Sequence, residues 1–198
     1  MEIGVLALQG DFREHAAMLR SLGAAVREVR LPEQLDGLDG LVLPGGESTT
    51  IARLMGLYRL DEAIRGFQGA LFGTCAGMIV LASGVADGVR EQPQLELIDI
   101  VVQRNGYGRQ VASFEAEVAL KNGTNVPGTF IRAPRIVSLG SQVEELGHLD
   151  EEPVLVREGR VLAASFHPEL TRDPTIHASF VELVEECRST AVGGIAGS

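Results

Sequence analysis

The sequence is poor in residues on which several kinds of chemistry depend. It has two cysteines, at positions 75 and 187, and a single lysine, Lys121, among its 17 basic residues. Two cysteines so far apart do not indicate a disulfide framework, and we expect a reducing, cytoplasmic environment. Lys121 lies in the segment LKNGTN, which is typical of an exposed turn, whereas a Schiff-base lysine needs a desolvated amine. Imine chemistry on this chain is therefore not expected.

Long apolar runs and phosphate-binding motifs are also missing. No stretch approaches the roughly 18 to 20 residues of a membrane span, and the apolar start MEIGVLALQG lacks the basic segment of a signal peptide. Neither G-x-G-x-x-G nor G-x-x-x-x-G-K-[ST] occurs, so neither a dinucleotide fingerprint nor a P-loop is indicated. The net charge of −10 argues against a general affinity for nucleic acid. We expect no membrane and no nucleic-acid partner.

The first half of the chain alternates apolar strands with helical segments. This alternation predicts parallel βαβ units, with strands over 2–8, 24–30, 38–46 and 69–74 and helices over 11–23, 47–58, 59–67 and 75–83. Most segments beyond residue 90 are predicted strands, until a helix over 175–188. The sequence predicts an α/β fold: a single domain over residues 1–190, built as an open, flavodoxin-like, mostly parallel mixed sheet flanked by helices. Residues 191–198 are expected to form a flexible tail.

One cysteine lies on a predicted sharp turn between a strand and a helix. The pentapeptide GTCAG around Cys75 fits the G-x-nucleophile-x-G pattern, in which Gly73 and Gly77 permit a tight backbone. A thiol at a helix N-terminus is favoured as the thiolate, and the N–H of Ala76 can face an oxyanion. The alternative is a small buried cysteine at a strand–helix junction, with no catalytic role.

Two further segments carry groups that could serve such a cysteine. In SFHPEL, at 165–170, His167 and Glu169 lie two residues apart, so in extended backbone they share a face, and the carboxylate can orient an imidazole that takes the thiol proton. In LPGGES, at 43–48, a strand runs into two glycines whose N–H groups can stabilise an oxyanion, and Ser48 or Thr49 can cap the next helix. A simple glycine-rich turn is the alternative for the second segment.

In this chain order, the three segments resemble the PGG, G-x-C-x-G and late H-P-E motifs of class I, triad-type glutamine amidotransferases. From about residue 2 to 188 the chain is similar to the glutaminase subunits of pyridoxal 5′-phosphate synthases, through GVLALQGDFREH, LPGGESTT, FGTCAGMI, RNGYGRQVASFEAEV, FIRAP and SFHPEL. The resemblance implies a class I glutamine amidotransferase fold and the hydrolysis of L-glutamine to glutamate and ammonia. The ammonia would pass to a synthase subunit that makes pyridoxal 5′-phosphate from a pentose phosphate and a triose phosphate. This chain would itself bind no cofactor and no metal.

The resemblance also implies a role for each residue of the motifs. Cys75 would attack the glutamine amide carbon, His167 would accept the thiol proton and pass one to ammonia, and Glu169 would hold the His167 tautomer. The N–H groups of Gly46 and Ala76 would form the oxyanion hole. The implied glutamine contacts are Gly46, Glu47, Ser48, Arg104, Ile131 and Arg132.

Several residues near these motifs receive weaker expectations. Gln9 and Gly10 are expected at the same sheet edge, with Gln9 a candidate for an activating role. His15 is expected to be structural or at an interface, and Cys187 to pack in the core. His148 and His177 are expected in a loop and on a helix surface, respectively.

Two other functions remain open from the residues themselves. One is a different cysteine hydrolase on a related sheet, such as a peptidase or a deglycase. The other is a non-catalytic regulatory subunit that has kept the fold. If the chain is a glutaminase, we expect its activity to depend on the synthase subunit, because the Gly45–Gly46 turn can adopt more than one peptide orientation.

Overall fold

The computed structural model describes residues 1–86, 94–106 and 113–193, with side chains as far as residue 190. These residues form twelve strands: β1 Glu2–Leu6, β2 Ala25–Val29, β3 Gly40–Leu43, β4 Ala70–Thr74, β5 Ala82–Val85, β6 Ile98–Gln103, β7 Ser113–Leu120, β8 Asn125–Ile131, β9 Arg135–Leu139, β10 Glu144–Leu149, β11 Glu152–Glu158 and β12 Val161–Ala164. The helices are α1 Phe12–Ser21, α2 Ser48–Leu57, α3 Leu60–Gly66, α4 Ala76–Leu81 and α5 Thr175–Gly193, with short 3₁₀ helices at Pro32–Leu35 and Pro168–Leu170.

Nine of the strands form one mixed sheet, in the order β2-β1-β3-β4-β12-β11-β10-β7-β8. The five strands from β2 to β12 are parallel, and their order matches the 2-1-3-4-5 arrangement of flavodoxin-like sheets. The four strands from β11 to β8 extend the sheet antiparallel to their neighbours. The predicted α/β class and mixed sheet are confirmed. The antiparallel extension accounts for the strand-rich second half of the sequence.

Helices cover both faces of the parallel part of this sheet. Buried side chains of α2, α3 and α4 pack on one face, among them Ile51, Ile64 and Met78. Side chains of α1 and α5 pack on the other face, among them Leu19 and Phe180. None of the helices in the described ranges is long and apolar enough to cross a bilayer.

A small second sheet of β5, β6 and β9 is the main feature that the sequence did not predict. Its first strand begins at Ala82, so the helix predicted over 75–83 is wrong at its end and stops at Leu81. The backbone leaves the helix there because Ala82 is extended and Leu97 donates its N–H to the Leu81 carbonyl. Tertiary pairing thus overrides the helical pattern of that short segment.

Two histidines are not where the sequence suggested. His148 lies in strand β10 rather than in a loop. His177 is fully buried, so its expected surface position is wrong. It precedes Phe180 by three residues on α5 and therefore shares the helix face that packs on the sheet. Cys187 is half-buried against the same core, as expected.

The ends of two helices differ slightly from prediction. The cap of α2 is Glu47, not Ser48 or Thr49: its carboxylate accepts the N–H groups of Thr49 and Thr50, and the hydrogen bond from Thr50 lowers the pKa of Glu47. Helix α5 continues to Gly193, three residues into the predicted tail. Residues 194–198 lie outside the described residues.

Helix α4 packs unusually close to the sheet, and two glycines make this possible. A Cβ at position 77 would lie 1.9 Å from the Leu43 carbonyl oxygen of β3. A Cβ at position 73 would lie 2.7 Å from the Gly77 carbonyl carbon. Because backbone atoms cannot rotate away as a side chain can, both positions require glycine.

Replacing Gly77 with alanine should therefore destabilise the protein. We expect Gly77→Ala to lower the free energy of unfolding by about 1–3 kcal/mol, as overpacking typically does. Gly56→Ala, on α2, is the matched control, since no atom lies within 4 Å of the added Cβ. That control should be neutral or stabilising by roughly 0.5–1 kcal/mol. Equal unfolding midpoints in urea for the two variants would contradict the close packing of α4.

Candidate active site

The predicted nucleophile and base meet at the carboxyl ends of two neighbouring parallel strands. Cys75 directly follows β4, and His167 lies three residues beyond the end of β12. The Cys75 N–H donates to the Ala164 carbonyl at 2.8 Å, and the His167 N–H donates to the Thr129 carbonyl of β8, also at 2.8 Å. The backbones of both residues are therefore held in place by the sheet itself.

Cys75 lies on a strained turn, as the pentapeptide predicted. Its φ of 47° and ψ of −102° fall where non-glycine residues are rare. As the first residue of α4, Ala76 has no intrahelical acceptor for its N–H, which is thus available beside the sulfur. The thiol lies 3.7 Å from the Ile131 carbonyl oxygen and is also within hydrogen-bonding reach of the His167 ring.

The acid member of the predicted triad lies behind the histidine. Glu169 Oε1 is 2.8 Å from His167 Nδ1, and both side chains are buried. A proton on Nδ1 therefore faces the carboxylate, which leaves Nε2 to exchange a proton with Cys75. The i, i+2 spacing works as the sequence indicated, because Pro168 and Glu169 form a 3₁₀ turn directly after the extended segment.

Charge stabilises this arrangement. Burial by itself lowers the pKa of His167, but hydrogen bonds with Asp11, Cys75 and Glu169 raise it above its usual range. Burial by itself raises the pKa of Glu169, but the imidazoles of His15 and His167 lower it well below its usual range. An ionised carboxylate and a protonated imidazole are thus favoured next to the sulfur, and a cation there favours the thiolate.

Asp11 is a site residue that the sequence analysis missed. Its Oδ2 lies 3.4 Å from His167 Nδ1, farther than Glu169 but within ion-pair range. The signal was its position directly after Gln9 and Gly10, which were placed at this edge. Asp11, His167 and Glu169 are close enough together to hold a metal ion. However, the proton that Nδ1 shares with Glu169 occupies the lone pair that a metal would need.

The two glycines after β3 shape the wall opposite Cys75. A Cβ on Gly45 would lie 2.2 Å from His167 Cε1, so the imidazole packs directly on this glycine. Gly46 has a φ of 152°, and a Cβ there would lie 2.5 Å from Gln9 Oε1. Glycine is required at both positions, one to admit the His167 ring and the other to admit Gln9.

The loop after β1 holds the same turn by hydrogen bonds. The Asp11 N–H donates to the Gly45 carbonyl at 3.2 Å. The Glu47 N–H donates to Gln9 Oε1 at 2.7 Å. Gln9 and Gly10 are thus at the predicted sheet edge, and Gln9 fixes the backbone on one side of the Gly45–Gly46 peptide.

These groups surround an open cleft of about 740 Å³. It is lined by every predicted site residue except Glu169, namely Gly46, Glu47, Ser48, Cys75, Ala76, Arg104, Ile131, Arg132 and His167. Gln9, Asp11, Ile79, Asn105 and Ser113 also line it. Of the six described non-glycine residues with positive φ, Cys75, Asn105 and Arg132 line this cleft, and such strain is concentrated at functional sites. Residues 107–112, which include the second half of the RNGYGRQ motif, lie outside the described residues.

Comparison with known proteins identifies the family. The SNO glutamine amidotransferase family matches residues 5–186. The chain belongs to this family. It is therefore a glutamine amidotransferase, and the family resemblance found in the sequence motifs is confirmed.

Relatives match this glutamine amidotransferase over nearly their whole length. Pyridoxal 5′-phosphate synthase subunit PdxT of Chloroflexus aurantiacus is 52% identical over 92% of this chain and 100% of its own. The protein of the same name from a strain of Thermus thermophilus is 53% identical over 91% of this chain and 96% of its own. A crystal structure of a glutamine amidotransferase is 50% identical, with a TM-score of 0.88 over 92% of this chain and 98% of its own.

The reactivity of the two cysteines in this glutamine amidotransferase tests the site directly. We expect iodoacetamide to alkylate Cys75 faster than Cys187 at neutral pH, because burial raises the pKa of the Cys187 thiol. His167→Asn should slow alkylation of Cys75 about 10-fold or more, since the imidazolium that favours the thiolate is lost. Peptide mapping by mass spectrometry follows both sites, and Cys187 is the internal control. An unchanged Cys75 rate in His167→Asn would contradict the pairing.

Proposed function

We propose that this chain is the glutaminase subunit of a pyridoxal 5′-phosphate synthase. It hydrolyses L-glutamine to L-glutamate and ammonia through a thioester on Cys75, and the ammonia passes to the synthase subunit. The observation that carries the proposal is the arrangement of Cys75 and His167 in the cleft, with Glu169 bound to His167 Nδ1 behind them. The relatives named as subunits of the same synthase support the pathway.

The reaction begins with attack of the Cys75 sulfur on the side-chain amide carbon of glutamine. The carbonyl π electrons move to oxygen, and the N–H groups of Gly46 and Ala76 stabilise that oxyanion. When the tetrahedral intermediate collapses, the C–N bond breaks and His167 gives its Nε2 proton to the departing nitrogen, which leaves as ammonia. The product at this stage is a γ-glutamyl thioester on Cys75.

Water completes the cycle. His167 Nε2, now unprotonated, takes a proton from a water molecule as its oxygen attacks the thioester carbon. The second tetrahedral intermediate expels the Cys75 thiolate and releases glutamate. Throughout both halves, the Glu169 carboxylate keeps the other imidazole proton on Nδ1 and stabilises the imidazolium.

Glutamine is recognised at the rim of the cleft. Arg104 and Arg132 suit the α-carboxylate, because a guanidinium can bind both of its oxygens. The Ile131 carbonyl, which faces the Cys75 thiol, can accept a hydrogen bond from the amide or ammonium nitrogen of the substrate. The Glu47 carboxylate is held by the N-terminus of α2, so its contribution comes chiefly from its position beside Gly46 and Ser48.

The synthase subunit receives the ammonia and also controls the glutaminase activity. The Gly45 carbonyl is held by the Asp11 N–H, and reorientation of the Gly45–Gly46 peptide moves the Gly46 N–H relative to the oxyanion. Contact with the synthase near this loop would therefore set the activity. We place the chain in the cytoplasm, in accord with its two free cysteines, and treat residues 1–190 as one glutaminase domain.

The other two functions are less well supported. A peptidase or deglycase has no need of the diglycine wall packed on His167, and family membership favours amide transfer from glutamine. A purely regulatory subunit has no need of a buried, charged Cys–His–Glu arrangement, which costs stability when unused.

A glutaminase assay with and without the synthase subunit tests the proposal. We expect the rate of glutamate release to rise about 10-fold or more when the purified synthase subunit is added. Cys75→Ala should reduce release by at least about 1,000-fold in either condition, as loss of a nucleophile does. Cys187→Ala is the matched control and should keep full activity.

Two results would contradict different parts of the proposal. Full glutaminase activity in Cys75→Ala would rule out the covalent mechanism. Equal turnover with and without the synthase subunit would rule out dependence on the partner, but not the mechanism of glutamine hydrolysis.

A further inference from the structure

A buried cluster of polar side chains lies behind the triad and has no role in the mechanism above. It consists of His15 on α1, Thr74 at the end of β4 and His177 on α5, all fully buried. Phe72 packs edge-to-face against both imidazoles, with ring centroids 6.0 Å from His15 and 5.9 Å from His177. Burying imidazoles costs free energy unless their nitrogens have hydrogen-bond partners, so the partners indicate the purpose of the cluster.

The cluster faces the one side of Glu169 that the catalytic histidine does not reach. His15 Nε2 lies 3.3 Å from Glu169 Oε2 and 3.1 Å from Thr74 Oγ1. Glu169 Oε2 makes no hydrogen bond of good geometry among the described residues, and His15 Nε2, at ion-pair distance, is the donor that lies beside it. The carboxylate is therefore held between two imidazoles, with Oε1 at His167 and Oε2 at His15.

The hydrogen bonds assign the protons along this chain of rings. Burial chiefly lowers the pKa of His177, to about 3, so His177 is neutral and carries one proton. His15 Nδ1 lies 2.9 Å from His177 Nε2, whereas His177 Nδ1 is buried without a partner among the described residues. A proton on that Nδ1 would be an orphaned donor, which proteins avoid more strictly than an orphaned acceptor.

The proton of His177 is accordingly on Nε2 and is donated to His15 Nδ1. His15 then carries its own proton on Nε2, where it faces Glu169 Oε2 and the Thr74 hydroxyl. The donors thus run in one direction, from α5 through α1 to the carboxylate. His15 lies on the far side of Glu169 from the cleft and does not line it.

We propose that His15 is a positioning residue for the reaction: its Nε2–H holds Glu169 Oε2, so that Oε1 stays directed at His167 Nδ1. This inference rests on the proposed function, since it concerns the same triad. Without the donor, the second oxygen of a fully buried carboxylate has no partner, and the carboxylate rotates or takes up a proton. Either change removes the acceptor that keeps His167 in its working tautomer.

Two amide substitutions separate positioning from packing. The side-chain nitrogen of glutamine reaches about as far as Nε2 of histidine, whereas that of asparagine reaches only about as far as Nδ1. His15→Gln can therefore still donate to Glu169, and His15→Asn cannot. His15→Leu removes the donor but keeps contact with Phe72. Leu19→Ala, one turn along the same buried face of α1, is the control for stability alone.

The measurements are kcat, KM and the pH profile of glutamate release, with the synthase subunit present. We expect His15→Asn and His15→Leu to lower kcat about 10- to 100-fold, the value of a hydrogen bond to a charged group. KM should stay within about twofold, because His15 does not contact substrate. His15→Gln should restore most of kcat, and Leu19→Ala should lower only the unfolding midpoint.

The pH profile distinguishes positioning from a general structural role. The groups that face Glu169 are His15 from α1, His167 on its own segment, Asp11 across the His167 ring and His177 behind His15. Loss of the His15 donor raises the pKa of Glu169, so the carboxylate becomes protonated at a higher pH. The acid limb of the profile should therefore move to higher pH in His15→Asn and His15→Leu but not in Leu19→Ala.

Three results decide the inference. An equal loss of kcat in His15→Gln and His15→Asn would overturn it, as would an effect in His15→Leu no larger than that in Leu19→Ala. If the unsubstituted complex releases no glutamate, the proposed function fails instead. In that case alkylation of Cys75 by iodoacetamide still tests the positioning, because it needs no substrate: slower alkylation in His15→Asn than in His15→Gln supports it, and equal rates contradict it.

Discussion

An ionised carboxylate with no exposure to solvent is the constraint on which the site depends. Glu169 is stable there because imidazoles face both of its oxygens, and removing either would leave a buried charge uncompensated. That requirement fixes the Nδ1 proton of His167, and with it the role that we propose for Nε2 toward Cys75. Helix α1, the 3₁₀ turn and strand β4 are joined through this one group, so the triad is held from behind as well as from the cleft.

The sheet supplies the second constraint, since it brings distant segments of the chain together. The neighbouring parallel strands β4 and β12 end side by side, and their backbone hydrogen bonds hold Cys75 and His167. Two glycines allow close packing around Cys75 and His167. Gly77 lies against the backbone of β3, and Gly45 lies against the ring of His167. The Gly45–Gly46 turn is held mainly by hydrogen bonds from the loop after β1, which is why we expect a partner subunit to act there.

The sequence was informative wherever a local motif determines geometry. The GTCAG turn, the His167–Glu169 spacing and the diglycine each predict a backbone shape that tertiary contacts then complete. It was less informative where the decisive contact is long-range. His177 belongs to the inward face of α5, which the periodicity of Phe180 already indicated, but its partner His15 is far away in sequence. Likewise β5 and β9 depend on pairing with β6, which no local pattern reveals.

The central claim is that the charge of buried Glu169, acting through His167, makes Cys75 reactive toward glutamine bound in the cleft. The most direct measurement is the rate at which a chloroketone analogue of glutamine modifies the chain, followed by mass spectrometry of the modified peptide. We predict a single adduct on Cys75 that glutamine prevents, formed about 100-fold more slowly in Glu169→Gln. Modification of Cys187 in place of Cys75, or an equal rate in Glu169→Gln, would contradict the claim.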